Sequence, residues 1–469
     1  MRKHGAVIPL NCIDKTLLSY EAAYQRLNFH LILSIEGKVD PTRLDQALLC
    51  VLQRYPTIRT VLRTKHFRHF RQLEKVSGTQ ILEIYDLDDT KIETEYEKCL
   101  SECINRPMDI KRGFPIKVFL IRKGVTASTL VFVFHHSAID GIRAVRFIDE
   151  VISSYENVTT DKSLSSRDIP IRHKGDALIE LARCERPATK RFYWNMLYYM
   201  FHFLLTTPFS HSARICHIRS GQSAEIYFCS GRVNSTETRE IKSKAKSVGG
   251  TVNDILLAAC FRTIEKWNRL HGKQSKKISI MVPVDIAPQE VHPVSTNQVS
   301  FLSVSTLPMD RSDPTQLLKK VNTQTVSALK QSRGCTFSYV YFSYVLSRFP
   351  LAFMKVFAKY VKFPVYADTV LHSNLGIRTL YGNRRGETGK GSFRVTDIVG
   401  LGPVITAMGM FLVIITYNQS LGIDLCYKPS CFSKEKAQKF LDLYLAEIKG
   451  YEVELKADQI AHSMASCMG

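Results

Sequence analysis

The stretch TLVFVFHHSAIDG, Thr129–Gly141, decides the reading of this chain. Its first six residues include a continuous apolar run, LVFVF. Such a run is the mark of a strand buried on both faces. It passes without a spacer into His135, His136, Ser137, Ala138, Ile139, Asp140 and Gly141. A helix is predicted next, with Ile142, Val145, Ile148, Val151 or Ile152, and Tyr155 on one face. A histidine held at a strand end can serve as a general base near neutral pH. A glycine five residues further on lets a substrate approach the backbone. Asp140 can pair with a cation or cap the helix, fixing the turn between them. Two adjacent histidines alone would more often be structural. The four-position pattern arises by chance in about one such chain per thousand, and its strand–motif–helix setting favours function.

On either side of this stretch strand and helix signals alternate. Leu27–Gly37 is rich in β-formers, and Pro41–Arg54 carries a helical stripe of Leu44, Ala47, Leu48 and Val51. Ile58–Leu62, Gln80–Ile84 and Ile116–Ile121 read as strands, and Asp176–Leu205 as a helix with an aromatic second half. In the second half, Thr251 is placed to cap the backbone N–H of Asp254 and to open a long apolar helix to Trp267. Ile278–Val284 and Val299–Thr306 are strand-like, Thr315–Lys330 is helical, and Phe411–Tyr417 with Leu421–Tyr427 forms a hairpin. A closing helix aligns Ala437, Phe440, Leu441, Tyr444, Leu445 and Ile448. No short-period repeat is present. The predicted architecture is two mixed α/β lobes, residues 1–185 and 223–469, joined by an apolar crossover segment, 186–222.

Composition sets the outer limits. The chain has 469 residues, 45% hydrophobic and 23% charged, which excludes global disorder and fibrous repeats. That length exceeds one comfortable core. The 12 cysteines form no C-x-x-C pair and no zinc spacing, so free thiols in a reducing cytoplasm are expected. Cys99 and Cys103, at helical spacing, read as buried thiols. The N-terminus lacks the apolar core of a secretory signal. The uncharged stretches 192–213 and 398–423 are too short or too interrupted to span a bilayer. Gly386–Gly391 (GETGKG) departs from a phosphate loop at its first glycine and last hydroxyl positions, and reads as a glycine loop. His66 and His69 lie in a basic run and read as surface or strand residues.

On these residues the sequence resembles the coenzyme-A-dependent acyltransferase superfamily, which takes in chloramphenicol-acetyltransferase-like folds, peptide-synthetase condensation domains and wax ester synthase/diacylglycerol acyltransferases. The H-H-x-x-x-D-G signature of that group matches at every fixed position. Asp40–Arg63 is similar to its first helix and following strand. Gly250–Ala259 (GTVNDILLAA), Met281–Val284 (MVPV), Asn297–Val299 (NQV) and the ending Phe411–Ile448 are similar to landmarks of the wax ester synthase branch. The resemblance implies two chloramphenicol-acetyltransferase-like lobes, each a mixed sheet with helices, meeting at a V-shaped cleft with a central tunnel. It implies that His136 is the catalytic base, that His135 and Asp140 support it, and that Gly141 lines the tunnel. It further implies an acyl donor that is a coenzyme A or carrier-protein phosphopantetheine thioester, an alcohol acceptor with an amine as the alternative, no tightly bound cofactor and no metal. A non-catalytic condensation-like scaffold is the competing class.

Two departures stand out. Members of the group often carry an arginine soon after the MVPV-like strand as partner to the motif aspartate. Here the residues are Asp285-Ile286-Ala287, so Asp140 is expected to find another cation or to be held by hydrogen bonds. The D-F-G-W-G motif of plant alcohol acyltransferases is absent.

The formal net charge is +21. Arg59, Arg63, Lys65, Arg68 and Arg71 cluster, but no nucleic-acid fold motif accompanies them, so nucleic acid is disfavoured. Coenzyme A phosphates, an acidic carrier protein or anionic lipid fit better. Leu351–Phe363 places Phe353, Val356, Phe357 and Tyr360 on one side and Lys355, Lys359 and Lys362 on another. That pattern suits either peripheral contact with an anionic membrane or a surface helix packed on its own domain.

Overall fold

The structure, a computed structural model, describes residues 6–157 (except 25, 66–67, 77–79, 88–91 and 125), 212–216, 224–285, 297–332, 343, 346–360, 368–378, 380, 393–405 and 408–467, together with Trp194, Leu197 and Phe201. Apart from those three helical positions and 212–216, the segment 176–222 lies outside the described residues, as do GETGKG and His66.

Two large mixed sheets form the frame. The first has the order β12-β2-β7-β6-β5 and is built from β2 (Asn28–Glu36), β5 (Leu82–Leu87), β6 (Ile116–Lys123), β7 (Ala127–His135) and β12 (Arg394–Leu401). Only its β5/β6 pair is parallel. The second has the order β10-β9-β11-β13-β14-β8, from β8 (Tyr227–Val233), β9 (Ile278–Asp285), β10 (Val299–Thr306), β11 (Val370–Arg378), β13 (Met410–Tyr417) and β14 (Ser420–Tyr427). A small sheet joins β1 (Val7–Pro9), β4 (Arg68–Leu73) and β3 (Thr60–Lys65).

The helices α1 (Cys12–Tyr24), α2 (Pro41–Leu52), α3 (Ile92–Asn105) and α4 (Gly141–Asn157) belong to the first half. The second half supplies α5 (Ser235–Ser247), α6 (Val252–Leu270), α7 (Pro314–Ser332), α8 (Leu351–Tyr360) and α9 (Lys434–Cys467).

β7 is the spine of the first sheet, and Leu130 to Phe134 are all buried, as the run LVFVF requires. Phe134 meets Phe147 of α4 edge-on, with ring centroids 5.8 Å apart, and Phe147 meets Tyr55 at 5.1 Å. The α4 stripe of Val145, Ile148, Val151, Ile152 and Tyr155 is buried. In the second half the Thr251 cap forms as its sequence implies: its Oγ1 accepts from Asp254 N, and Asp254 Oδ2 accepts from Thr251 N at 2.8 Å. The β13–β14 hairpin turns through Asn418 and Gln419, both at positive φ (45° and 65°), the backbone of a two-residue turn matched to strand twist. Cys99 and Cys103 are buried, and nine of the described cysteines, these two among them, are free thiols.

Three places differ from the local pattern. Pro56–Arg59 is a 3₁₀ turn, and the strand read at Ile58 starts at Thr60. Proline at the first position of this turn fixes a helical φ and withholds a ladder donor. The alternation in β14 does not leave a wet face, because Gly422, Asp424 and Cys426 are buried along with their neighbours. The reason lies in β13. Met410, Leu412 and Ile414 enter the core of the second lobe, while Phe411, Val413 and Ile415 enter the core of the first. The second sheet is therefore covered on both faces. Finally, β12 comes from the second half of the chain but pairs with β2, from Arg394↔Glu36 to Leu401↔His30. Gly400 and Gly402 permit this crossing. A Cβ at Gly400 would sit 2.7 Å from Val413 Cγ1, and one at Gly402 would sit 2.0 Å from Phe411.

Candidate active site

The motif occupies the turn between β7 and α4, where the two lobes meet. Its geometry follows from the chain. β7 carries His135 to the end of the sheet, and Ala138 N closes a turn on the His135 carbonyl at 2.9 Å. Asp140 caps α4: its Oδ1 accepts from Arg143 N at 3.0 Å.

His135 is fully buried. Its Nδ1 accepts from Ser137 N at 3.3 Å and lies 2.8 Å from Ser137 Oγ. That leaves the proton on Nε2, which donates to Glu21 Oε2 at 2.9 Å. Burial raises the Glu21 pKa, but the His135 contact, the Leu27 backbone and the Lys355 charge together outweigh it and hold the carboxyl below its ordinary value. Both nitrogens of His135 are thus committed, and the residue is a strut between β7 and α1.

His136 differs. Its backbone N–H donates to Leu27 O at 2.9 Å, and its carbonyl accepts from Asn297 Nδ2 at 2.8 Å. The ring leans on Phe29 at 5.1 Å between centroids, tilted by 58°. Nδ1 is buried and makes no hydrogen bond, while the residue as a whole keeps partial exposure. Burial is the largest influence on its pKa and pulls it below the ordinary histidine value, against the Asp140 charge. An uncharged imidazole is the form a general base requires, and with Nδ1 buried it is Nε2 that can meet an acceptor.

The turn is clamped from both lobes. Asp14, buried on α1, accepts from Arg71 Nη1 at 2.6 Å and from Asn297 Nδ2 at 3.0 Å. The other Arg71 nitrogen, Nη2, donates to the Ser137 carbonyl. Arg71 is 4% exposed, so it leaves the basic surface cluster in which its sequence neighbours place it. Burial with a carboxylate partner and a carbonyl explains the exception.

Asp140 resolves the question left by the missing arginine. Its Oδ2 accepts from Arg143 Nη1 at 2.5 Å and from Gln298 N at 3.0 Å. Arg143 also reaches Asp285 Oδ1 at 3.3 Å and Gln298 Oε1 at 3.2 Å. The bridge has changed polarity: the cation comes from the motif helix, and the second lobe answers with a carboxylate. Gly141 faces Leu375 of β11, whose Cδ2 would lie 3.1 Å from an added Cβ. Asp14, Glu21, Arg71, Arg143, Asn297 and Gln298 escape a reading of the motif alone. Arg143 carries a local signal, the i,i+3 spacing from Asp140. The others are brought in by tertiary structure. Among the described residues, no cluster of His, Cys, Asp and Glu has the arrangement of a metal site.

Comparison with known proteins gives the family and the fold. The Condensation domain family matches residues 16–332, and the WS/DGAT C-terminal domain matches residues 295–448. Bacitracin synthase 1 of Bacillus licheniformis is 23% identical over 251 residues, which are 54% of this chain and 4% of that protein. Chondramide synthase of Chondromyces crocatus is 21% identical over 199 residues, 41% of this chain and 5% of that protein. The chain therefore spans about a twentieth of the length of these curated relatives. The first condensation domain of the calcium-dependent antibiotic synthetase superposes with a TM-score of 0.70 at 12% identity, covering 97% of both chains. The epimerization domain from the third module of tyrocidine synthetase B gives 0.68 at 14%, covering 97% of this chain and 99% of that one. At these identities the likeness is one of fold, and that fold is the chloramphenicol-acetyltransferase-like one.

Proposed function

Since the chain belongs to the condensation-domain family, we propose that it transfers an acyl group from a coenzyme A or carrier-protein thioester to an alcohol, forming an ester. His136 takes the proton of the acceptor hydroxyl as its oxygen attacks the thioester carbonyl, and the thiol leaves. His135 and Asp140 hold the turn, and Gly141 gives the thioester arm room. The carrying observation is the state of His136: its backbone is fixed from both lobes while its ring stays partly exposed and its pKa is lowered by burial. The match of residues 295–448 to the WS/DGAT C-terminal domain supports an alcohol acceptor. The likeness to bacitracin and chondramide synthases supports amide formation with an amine as the second reading. Residues 1–185 and 223–469 form the two lobes in this proposal, and 186–222 the crossover.

The setting we propose is cytoplasmic with peripheral contact to anionic membranes, through the side of α8 that exposes Phe353 and Val356. Among the described residues, no helix is long and apolar enough to cross a membrane. Incubation with a panel of acyl-thioesters and candidate alcohols and amines, with products resolved by mass, tests the proposal. Ester with release of free thiol is expected. Amide alone would select the second reading, and no transfer from any donor would favour a non-catalytic scaffold.

A further inference from the structure

Side chains of β11 alternate across the second sheet. Leu371 enters the core of the first lobe, and Val370 enters that of the second. Leu375 shares the Leu371 face and packs, partly buried, against the core of the first lobe. Its two neighbours in the chain fix its place. Asn374, on the opposite face, donates from Nδ2 to Asn253 Oδ1 of α6 at 3.2 Å. Asn374 Oδ1 accepts from Gly376 N at 2.8 Å. The pairing with β13 then slips: Asn374 lies opposite Ile414, but Ile377 lies opposite Thr416. β11 thus carries one extra residue, a β-bulge, of the kind that re-aims side chains beside sites. Gly376 takes it up at a φ of 75°, which glycine adopts without steric cost.

The residue that Leu375 meets is Gly141, the first of α4. A Cβ built there would lie 3.1 Å from Leu375 Cδ2 and 3.9 Å from Leu375 Cδ1, and among the described residues no other atom beyond its chain neighbours and its own helix would come within 4 Å. Gly141 is helical and does not have a positive φ, so its backbone does not call for glycine. Packing does not call for it either, since only the tip of one flexible side chain stands in the way. The missing side chain is explained by the room that it leaves, and Leu375 is the other border of that room.

We propose that Leu375 is a positioning residue for the acyl donor: with Gly141 it forms the facing walls, one from each half of the chain, of the channel for the pantetheine arm, and it sets the channel's width. This rests on the pantetheine thioester donor proposed for His136. The arm is an uncharged chain of methylene and amide units, and the walls that face it carry no charge. The anchored bulge holds Leu375 against the motif from the second lobe, so the width is fixed by tertiary structure and not by the motif alone.

Titration calorimetry on the full chain tests this with coenzyme A and with pantetheine, and needs no turnover. Both should bind. Tighter binding of coenzyme A would mark a free coenzyme A donor, and equal binding would mark recognition of the arm alone, as on a carrier protein. Leu375→Phe should weaken both probes about tenfold or more, because it narrows a packed channel. Gly141→Ala should weaken both about threefold, and Leu375→Ala in the same chain should restore them. A role for Leu375 in packing alone would not give that recovery. Denaturant unfolding checks each variant, and if Leu375→Phe does not fold, the Gly141→Ala pair decides. Binding of neither probe, affinity unchanged in a folded Leu375→Phe, or no recovery in the double variant would overturn the proposal. Acyl transfer with coenzyme A binding indifferent to Leu375 would refute the channel alone. Binding that responds to Leu375 in a chain without transfer would refute the transfer and keep the channel.

Discussion

Asn297 Nδ2 lies 2.8 Å from the backbone carbonyl of His136, 161 positions earlier in the chain. The same nitrogen donates to Asp14 Oδ1 at 3.0 Å. One side chain of the second lobe thereby fixes both the histidine turn and the α1 carboxylate that holds Arg71. Asn297→Ala should lower kcat by about tenfold to a hundredfold, the scale of a small misplacement of a reacting group. KM for the thioester should change little. Steady-state kinetics on the folded variant would check this, and an unchanged kcat would remove Asn297 from the positioning machinery.

His136→Ala should lower turnover by about a hundredfold to ten-thousandfold, with thioester affinity retained. The wild-type pH profile carries a second signature. Burial lowers the His136 pKa, so the basic form persists to lower pH. The acid limb of kcat/KM should therefore fall below pH 6.5, the ordinary histidine value. An acid limb above it would assign that titration to another group.

Asp140→Asn keeps the shape of the cap but removes the charge that faces Arg143 at 2.5 Å. Both groups are buried, so removing one partner costs about 3 kcal/mol, the lower end for buried pairs, because Asp285 still meets the guanidinium. Denaturant unfolding measures the loss. A variant that is as stable as the parent but inactive would make Asp140 catalytic and not architectural.

Gly141→Trp should stop reaction with the thioester, because the new side chain must take the space that Leu375 borders and displace it. Gly141→Ala with Leu375→Ala should recover much of the activity. Normal turnover in the tryptophan variant would move the thioester arm elsewhere.

Asp368 is buried, and burial raises its carboxyl to about 6 although Ser279 and Ser303 donate to it. The folded state thus favours the protonated form. The stability this confers is complete below about pH 4 and is lost as pH rises through about 6. Relative to Asp368→Asn, the unaltered chain should lose up to about 3 kcal/mol between pH 4 and pH 8. Unfolding of both proteins at the two pH values would show this, and a difference independent of pH would contradict it.

Leu351 and Met354 of α8 are buried with Ile13, Leu17 and Leu18 of α1, so the helix packs against the first half of the chain and not the second lobe. Phe353 and Val356 remain 47% and 56% exposed, and Phe349 stands 4.9 Å from the Phe353 ring. Vesicle sedimentation should show binding to anionic vesicles that weakens with salt and drops when Lys355, Lys359 and Lys362 become glutamate. Equal recovery with neutral and anionic vesicles would leave only a packed helix.

The sequence by itself determined what is local. The run LVFVF demanded a doubly buried strand, Thr251 and Asp254 demanded a capped helix, and the spacing from His135 to Gly141 put two histidines, an aspartate and a glycine on one strand–helix turn. These follow from side-chain volume, periodicity and short-range hydrogen bonding. Tertiary structure decided the rest. Only the folded chain sets Asn297 on His136, Asp285 opposite Arg143, and Arg71 in the interior, because hydrogen bonds and ion pairs between residues more than fifty positions apart leave no periodic trace. The same holds for Arg394–Leu401, whose alternation is compatible with either sheet. It pairs with β2, and Gly400 and Gly402 let its backbone pass close over Val413 and Phe411, a condition set by side chains already folded elsewhere.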